Sequence, residues 1–327
     1  MTADSAPRVA IVGLGVMGQR MLANMLKTGG FDPARAWDPS PVACDAARAL
    51  HPGIEIVADP MAMIADGGTD LVYIATPPDN HAEYALAAAD AKKPIYCEKP
   101  LGTDVEASRR LVEAIEAAGA RTIVNFSLAS APAANAIADA LANGDIGEVE
   151  SVDIHLHFCR WPRDWQAPAA WLSRREQGGF VRETFSHYAY LTRRLFGDIE
   201  LLSATASYPD DGISAETHAM AMMDCTGIPV SFNGGTGGLG NSGADRVEYT
   251  VWGTRQVYRL YDWNRLRTND GTGWRERLEE IPDTREAGYR LQLENAARFC
   301  RGEPHGLATF KDALAVQELV EDILGEA

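Results

Sequence analysis

The apolar run Val9-Ala10-Ile11-Val12 leads straight into Gly13-Leu14-Gly15-Val16-Met17-Gly18, a join that few folds accept. A strand feeding such a turn needs glycine wherever the backbone takes angles that a Cβ would forbid. Gly15 lets the main chain approach a pyrophosphate, and Gly18 lets the next helix pack closely on the strand. That helix is expected over roughly 19–27, closed by Thr28-Gly29-Gly30. Its open N-terminal amides, including those near Leu14, Val16 and Met17, and the positive end of its dipole would face the phosphates. A second strand, roughly 34–37, ends in Asp38, twenty residues after Gly18. An acid there accepts both ribose hydroxyls and repels a 2′-phosphate, which favours NAD over NADP.

A second motif narrows the reading. Glu98-Lys99-Pro100 follows Pro94-Ile95-Tyr96-Cys97, 80 residues beyond Gly18. In this order the two motifs set a redox cofactor beside a cationic side chain, as hydride transfer requires. Lys99, at the end of a buried-looking strand, can donate to a substrate oxygen and stabilise developing alkoxide charge. A solvated surface lysine is the plain alternative. The chain also holds a decoy. Gly235-Thr236-Gly237-Gly238-Leu239-Gly240 fits the same glycine template, but another strand pattern follows it and no helix. Without a helix dipole it is expected to be a flexible inter-strand loop with no nucleotide role.

A chain of 327 residues is expected to form two domains. A net charge of −16 argues against nucleic acid or an anionic membrane as partner. No apolar run reaches the ~20 residues of a membrane span, and residues 1–8 lack a basic-then-apolar leader pattern. Cys44, Cys97, Cys159, Cys225 and Cys300 are scattered and never form C-x-x-C. Free thiols in a reducing compartment, the cytoplasm, are therefore expected.

Strand and helix patterns alternate up to about Asn125, the mark of a parallel sheet. Leu71-Val72-Tyr73-Ile74-Ala75 is continuously apolar, as a doubly covered strand requires. It opens into Thr76-Pro77-Pro78-Asp79-Asn80-His81, at the carboxyl end where open α/β sheets bind ligands. Ala75, Thr76, Pro77, Asn80 and His81 are thus candidate cofactor contacts, although His81 fits a structural part in helix capping equally well. Cys97 reads as strand packing. Thr103 and Glu106 predict a capping box for the next helix. Beyond residue 125 come a helix over about 133–143 and strands over 151–158, 201–208, 218–225, 247–252 and 256–261. Further helices are expected over 182–196, 286–301 and 311–324. The expected domains are 1–125 and 126–327, the last helix being free to return to the first domain.

His187 is the best general base or acid in the second domain, since its ordinary pKa near ~6.5 serves either direction. Glu183, four residues earlier on the expected helix face, can orient the imidazole. A surface ion pair is the bland reading, weakened by the preceding Gly178-Gly179. In Arg160-Trp161-Pro162-Arg163-Asp164-Trp165 the indoles of Trp161 and Trp165 suit a sugar ring. Arginines such as Arg160 suit a carboxylate or hydroxyls. Surface packing fits this loose motif equally. His155 and His157 alternate along a strand with no third ligand nearby, so no metal site is expected.

Taken together these residues resemble the family of glucose–fructose oxidoreductase, inositol dehydrogenase and the rhizopine-catabolism dehydrogenases, over nearly the whole chain. The likeness rests on the stretch from Val9 to Gly18, on Ile74-Ala75-Thr76-Pro77-Pro78 with His81, and on Glu98-Lys99-Pro100. Gly178-Gly179 followed by His187, and Leu307-Ala308-Thr309-Phe310-Lys311-Asp312-Ala313-Leu314, add to it. The resemblance implies an α/β chain: an N-terminal Rossmann domain with a doubly wound parallel sheet, and a C-terminal domain with an open, mostly antiparallel sheet. It implies dimers or tetramers formed through that sheet, a tightly held NAD(P), and redox chemistry at a carbon of a sugar, inositol or related cyclic compound. Lys99 would lie near the nicotinamide and the reacting oxygen, and Glu98 by the nicotinamide ribose. Asn125 joins the cofactor contacts and Phe126 the substrate contacts, and Lys99–Pro100 is expected to be cis. The chain departs from the family pattern in one place. Relatives carry an Asp four residues before the histidine and a Gly between them, where this chain has Glu183 and Phe185; a later Asp is Tyr190 here. These changes argue against a standard inositol substrate. A redox-assisted glycoside hydrolase and a non-catalytic sensor of NAD and sugar are the rival readings.

Overall fold

The computed structural model describes residues 6–238 and 245–325. Its backbone divides into two compact units, residues 6–126 with Tyr289–Leu314 and residues 127–288 with 315–325.

The first unit alternates strand and helix. It runs β1 (Arg8–Val12), α1 (Val16–Thr28), β2 (Asp32–Trp37), α2 (Pro41–Leu50), β3 (Glu55–Ile56), α3 (Pro60–Ala65) and β4 (Leu71–Ile74). Then come α4 (His81–Asp90), β5 (Ile95–Cys97), α5 (Val105–Ala117) and β6 (Thr122–Val124). The strands lie parallel in the order β3-β2-β1-β4-β5-β6, so the sheet is doubly wound about the β1/β4 junction. Val9 to Val12 and all of β4 and β5 are buried, which requires cover on both faces and explains their unbroken apolar runs. α1 starts earlier than the sequence spacing implied, because Gly15 itself serves as its N-cap. The expected Thr103 capping box is replaced. Asp104 caps α5 by accepting from the Ala107 N–H at 2.6 Å, while Thr103 donates to Asp79 at 2.7 Å. A carboxylate one position nearer the helix takes the amide, freeing the hydroxyl for the neighbouring loop.

The second unit is built on an eight-stranded sheet. α6 (Pro132–Ala142) precedes β7 (Val149–Phe158); α7 (Ser186–Phe196) precedes β8 (Ile199–Ser207), β9 (His218–Cys225) and β10 (Ile228–Thr236). β11 (Arg246–Gly253), β12 (Val257–Tyr261), β13 (Arg265–Asn269) and β14 (Trp274–Arg277) complete it, followed along the chain by α8 (Thr284–Arg301) and α9 (Phe310–Leu324). The order is β14-β13-β12-β11-β7-β10-β9-β8, antiparallel except for the β7/β10 pair. Alternation along β7 buries Val152, Ile154, Leu156 and Phe158 on one face. α7 and the residue before it cover this face, with Phe185 stacked on Phe232 (centroids 4.1 Å apart) and Tyr188 on Tyr249 (6.0 Å). The other face carries Met220 and Met222, each 51% exposed.

The decoy glycines are a partial correction. Gly235 and Thr236 belong to β10 and not to a loop. A Cβ on Gly234 would strike the Phe180 ring and one on Gly235 the His218 ring, so packing, not flexibility, selects glycine there. Residues 239 and 240 of that motif lie outside the described residues.

Candidate active site

The glycine turn joins β1 to α1 under tight constraint. Gly13 sits at φ +99°, where a Cβ would lie 2.6 Å from the Ala75 backbone. A Cβ on Gly18 would lie 2.1 Å from the Gly13 carbonyl oxygen. Gly15 is different: it is exposed and nothing stands within 4 Å of its would-be Cβ. The turn therefore has open space where a pyrophosphate would lie. α1 begins there with no side chain capping its N-terminus, leaving the helix end to an anion. Asp38, at the end of β2, accepts from the Leu14 N–H at 2.7 Å and the Ser40 N–H at 2.8 Å, which fixes its carboxylate beside the turn. Val16 and Met17 are half-buried in the first turn of α1, and Leu14 is buried.

The loop after β4 lies on the neighbouring strand's carboxyl edge. Ala75 and Thr76 are half-buried and Pro77 and Asn80 exposed. The Thr76 hydroxyl oxygen is buried without a hydrogen-bond partner, as expected of a group waiting for a ligand. Together with the open turn and uncapped helix it fits a dinucleotide. Asn80 makes no side-chain cap to α4. His81 is 1% exposed, with Nδ1 2.9 Å from the Pro100 carbonyl and Nε2 2.9 Å from the Thr76 carbonyl. It straps the β4 loop to the turn after β5; burial holds its imidazole below the ordinary value, against the pull of those carbonyls.

That turn carries Glu98-Lys99-Pro100. The Lys99–Pro100 bond is cis, as is Trp161–Pro162, which the sequence had not flagged. Lys99 is half-exposed at the carboxyl end of β5, and Cys97 is fully buried, its thiol pushed well up by burial. Glu98 is only 5% exposed. Its Oε1 accepts from the Tyr73 hydroxyl and from Asn125 Nδ2 at 2.7 Å. The Tyr96 hydroxyl donates to Asn125 Oδ1 at 2.7 Å, and Gln292 of α8 donates to the same oxygen at 3.2 Å. Burial first, then the Glu98 charge, pushes both tyrosines far up, so they stay protonated donors. Glu98 and Asn125 are thus held rigidly at the carboxyl ends of β5 and β6. Phe126 follows as a buried ring.

In the second unit the helix bearing Glu183 and His187 does not start as the expected regular α-helix. Residues Val181–Phe185 form a π-turn that runs into α7. One extra residue per turn alters the stacking of side chains; from 181 to 192 every residue is buried except Glu183 and His187. His187 Nδ1 lies 3.5 Å from Ser127 Oγ. The Gly178-Gly179 pair makes room behind this turn. A Cβ on Gly178 would strike the Leu172 carbonyl, and one on Gly179, at φ +100°, would lie 2.0 Å from the carboxylate of Glu216. Glu216, 2% exposed, accepts from the Val181 N–H at 2.8 Å and so caps the π-turn from the β8–β9 connection. Next to it Arg182 and Glu321 form a buried two-pronged ion pair, 2.7 and 2.6 Å.

The segment after β7 divides its candidates. Arg160 pairs with Asp164 on the open surface, its side chain 72% exposed. The Trp161 indole donates to the Leu172 carbonyl at 3.0 Å and its ring packs near Phe158 and Phe180. Trp165 stays 43% exposed. His157 bonds the Gly237 carbonyl through Nε2, 2.8 Å, and His155, on the same outer face of β7, is in register with Asn233 and Glu248. Among the described residues no group of three or more metal-binding side chains gathers.

Comparison with known proteins now bears on this geometry. Residues 7–126 match the oxidoreductase family with an NAD-binding Rossmann fold, and residues 134–259 match the GFO/IDH/MocA C-terminal domain. The chain belongs to the GFO/IDH/MocA oxidoreductase family. An inositol 2-dehydrogenase of Rhodococcus erythropolis is 38% identical over 117 residues, 36% of this chain and 34% of that protein. The chain thus matches about a third of the length of such curated relatives. Among solved structures, an Agrobacterium radiobacter oxidoreductase in complex with NAD+, L-tartaric acid and magnesium superposes with TM-score 0.85 at 21% identity, covering 99% of this chain and 96% of that one. The WlbA dehydrogenase of Bordetella pertussis, in complex with NADH and UDP-GlcNAcA, gives 0.81 at 24%, with 99% and 96% covered. At these identities the superpositions establish the fold alone.

Within the GFO/IDH/MocA frame, sequence reading passed over Gln166 and Glu216 and took Arg163 only as one of the arginines of its loop. Gln166 Nε2 donates to Glu183 Oε1 at 3.0 Å, and Arg163 Nη2 lies 3.9 Å from the same oxygen. The placement of Arg163 two residues from both Trp161 and Trp165 was a usable signal. Glu216, one acid among 46 acidic residues, offered none.

Proposed function

We propose that this chain is an NAD-dependent oxidoreductase that moves a hydride between the nicotinamide and an alcohol carbon of a sugar, polyol, inositol or related cyclic small molecule. One observation carries the reading: the glycine turn, the Thr76 loop and Lys99 leave the carboxyl edges of three adjacent parallel strands, β1, β4 and β5. Ligands of doubly wound sheets bind at that edge. The family match and the inositol and sugar-nucleotide chemistry of the relatives named above support the substrate class.

When bound, NAD supplies the hydride acceptor or donor. Gly13 to Gly18 and the first turn of α1 would hold its pyrophosphate, and Asp38 its adenosine ribose, with a charge that disfavours the 2′-phosphate of NADP. Ala75, Thr76, Pro77 and Asn80 would line its path, with Glu98 and Asn125 at the nicotinamide ribose. Lys99 would donate to the substrate oxygen, stabilising alkoxide character. His187, supported by Glu183, would exchange the hydroxyl proton. The partly exposed Trp165 would offer an apolar face to a sugar ring.

A reducing cytoplasm is supported by five buried, unpaired cysteines, and no described helix is long and apolar enough to cross a membrane. A homodimer or homotetramer through the outer face of the eight-stranded sheet is supported by Met220 and Met222 standing half-exposed on it. The test is a panel of sugars, inositols, uronates and dihydrodiols followed by NADH formation. Lys99→Ala should bind NAD within about twofold of the parent yet turn over at least ~100-fold more slowly. Hydride transfer to NAD from no member of the panel, or undiminished turnover in Lys99→Ala, would refute the reading or the role respectively.

A further inference from the structure

Arg163 occupies an unusual place for a charged side chain. It is 15% exposed, and its guanidinium carbon lies 4.6 Å from the Trp263 ring centre and 4.8 Å from that of Trp165. Phe158 and Trp161 stand a little further out, at 5.4 and 5.7 Å. A planar, weakly hydrated guanidinium stacks on such rings where an ammonium does not, and cation–π attraction offsets the lost water. Trp263 is carried by the tight hairpin turn between β12 and β13. Asp262 and Trp263 both adopt left-handed angles, φ +45° and +72°, which bulky side chains rarely take.

With aromatic rings around it, the guanidinium acts through its N–H edge. Nε donates to Gln166 Oε1 at 2.9 Å, and the Arg163 backbone N–H reaches the same oxygen at 3.2 Å. Gln166, 2% exposed, passes the constraint on by donating to Glu183 Oε1, toward which Arg163 Nη2 also points. We infer that Arg163 and Gln166 are positioning residues that fix the direction of the Glu183 carboxylate, with the aromatic cage fixing Arg163. A glutamate has one more torsion than the aspartate of relatives, and the relay removes that freedom. This rests on the proposed role of Glu183 in supporting His187.

The test uses the full-length protein and the variants Arg163→Ala, Arg163→Lys and Arg163→Ala/Glu183→Gln. Arg163→Ala should lower kcat about 10- to 100-fold, the effect of losing one charge-assisted contact, with NAD affinity unchanged within about twofold. Arg163→Lys should fare no better, since an ammonium restores charge but neither stacking nor the in-plane donor. Millimolar ethylguanidinium should refill the cage of Arg163→Ala and recover at least about tenfold of the lost rate. Calorimetry without substrate should show it binding Arg163→Ala at least about fivefold more tightly than Arg163→Ala/Glu183→Gln. Wild-type rates in Arg163→Ala, or rescue by Arg163→Lys, overturn the inference. If the wild type transfers no hydride, the proposed function fails, and the calorimetric comparison alone decides the relay: equal binding by the two variants overturns it.

Discussion

Glu216→Gln should remove one pH-dependent contribution to the stability of the fold. In the native protein one carboxyl oxygen of Glu216 takes the Val181 N–H, the other has no partner, and the group is buried. Burial, opposed by backbone donors and Arg182, pushes its pKa from 4.5 up to about 7. The folded chain therefore keeps a proton that the unfolded chain releases between those values. Stability from this group is complete below pH 4.5, falls as pH rises, and is lost once pH passes about 7. The interval, 7 − 4.5 = 2.5 units, corresponds to about 3 kcal/mol at ~1.4 kcal/mol per unit. Glutamine stands in for the protonated acid, so the unfolding free energy of the wild type minus that of Glu216→Gln should drop by about 3 kcal/mol between pH 4.5 and 8. Urea unfolding at a series of pH values, followed by tryptophan fluorescence, measures this in the right place. Six of the seven tryptophans, all but Trp37, belong to the unit that holds Glu216. Parallel pH curves for the two proteins, within about 0.5 kcal/mol, would show that the buried carboxyl carries no excess proton and that the reasoning is wrong.

Gly15→Ala and Gly18→Ala should separate binding from folding. The first has free space and should leave Tm nearly unchanged while weakening NAD binding in a calorimetric titration; the second meets the Gly13 carbonyl and should cost about 1–3 kcal/mol in urea unfolding. Asp38→Ala should relax discrimination against NADP, read as the ratio of kcat/KM for the two cofactors; an unchanged ratio removes its assigned part. Arg182→Met leaves Glu321 buried without its partner and should cost about 3–5 kcal/mol, whereas replacing both by apolar residues should recover most of that loss in the same unfolding assay.

The first unit was legible because its signals are local. A strand, a glycine turn and a helix are adjacent in sequence, and Val9 to Gly18 states all three at once. Glu98-Lys99-Pro100 was legible for the same reason. The second unit hid more. β13 and β14 were missed because Arg265, Arg267, Arg275 and Arg277 leave too little apolar character to read; β13 buries Leu266 and Thr268 between its arginines, and β14, at the sheet edge, is a strand through its pairing with β13. The π-turn at Val181–Phe185 leaves the apolar content of a helix intact, so periodicity cannot reveal one inserted residue. The partners of Glu183 and the cap supplied by Glu216 come from other elements, and such contacts have no sequence signature. Gly178-Gly179 was noticed, but its reason, room for the Glu216 carboxylate, needed coordinates.

The buried network under Glu98 draws Gln292 from α8, and β6 gains a bridge to Ala308, with Thr122 accepting the Phe310 N–H. The nucleotide half is therefore unfinished until residues up to Leu314 have left the ribosome. Nascent chains would complete the second unit's sheet first, the dinucleotide fold would close next across a sequence gap of more than 150 residues, and the residues after Leu314 would then finish the second unit.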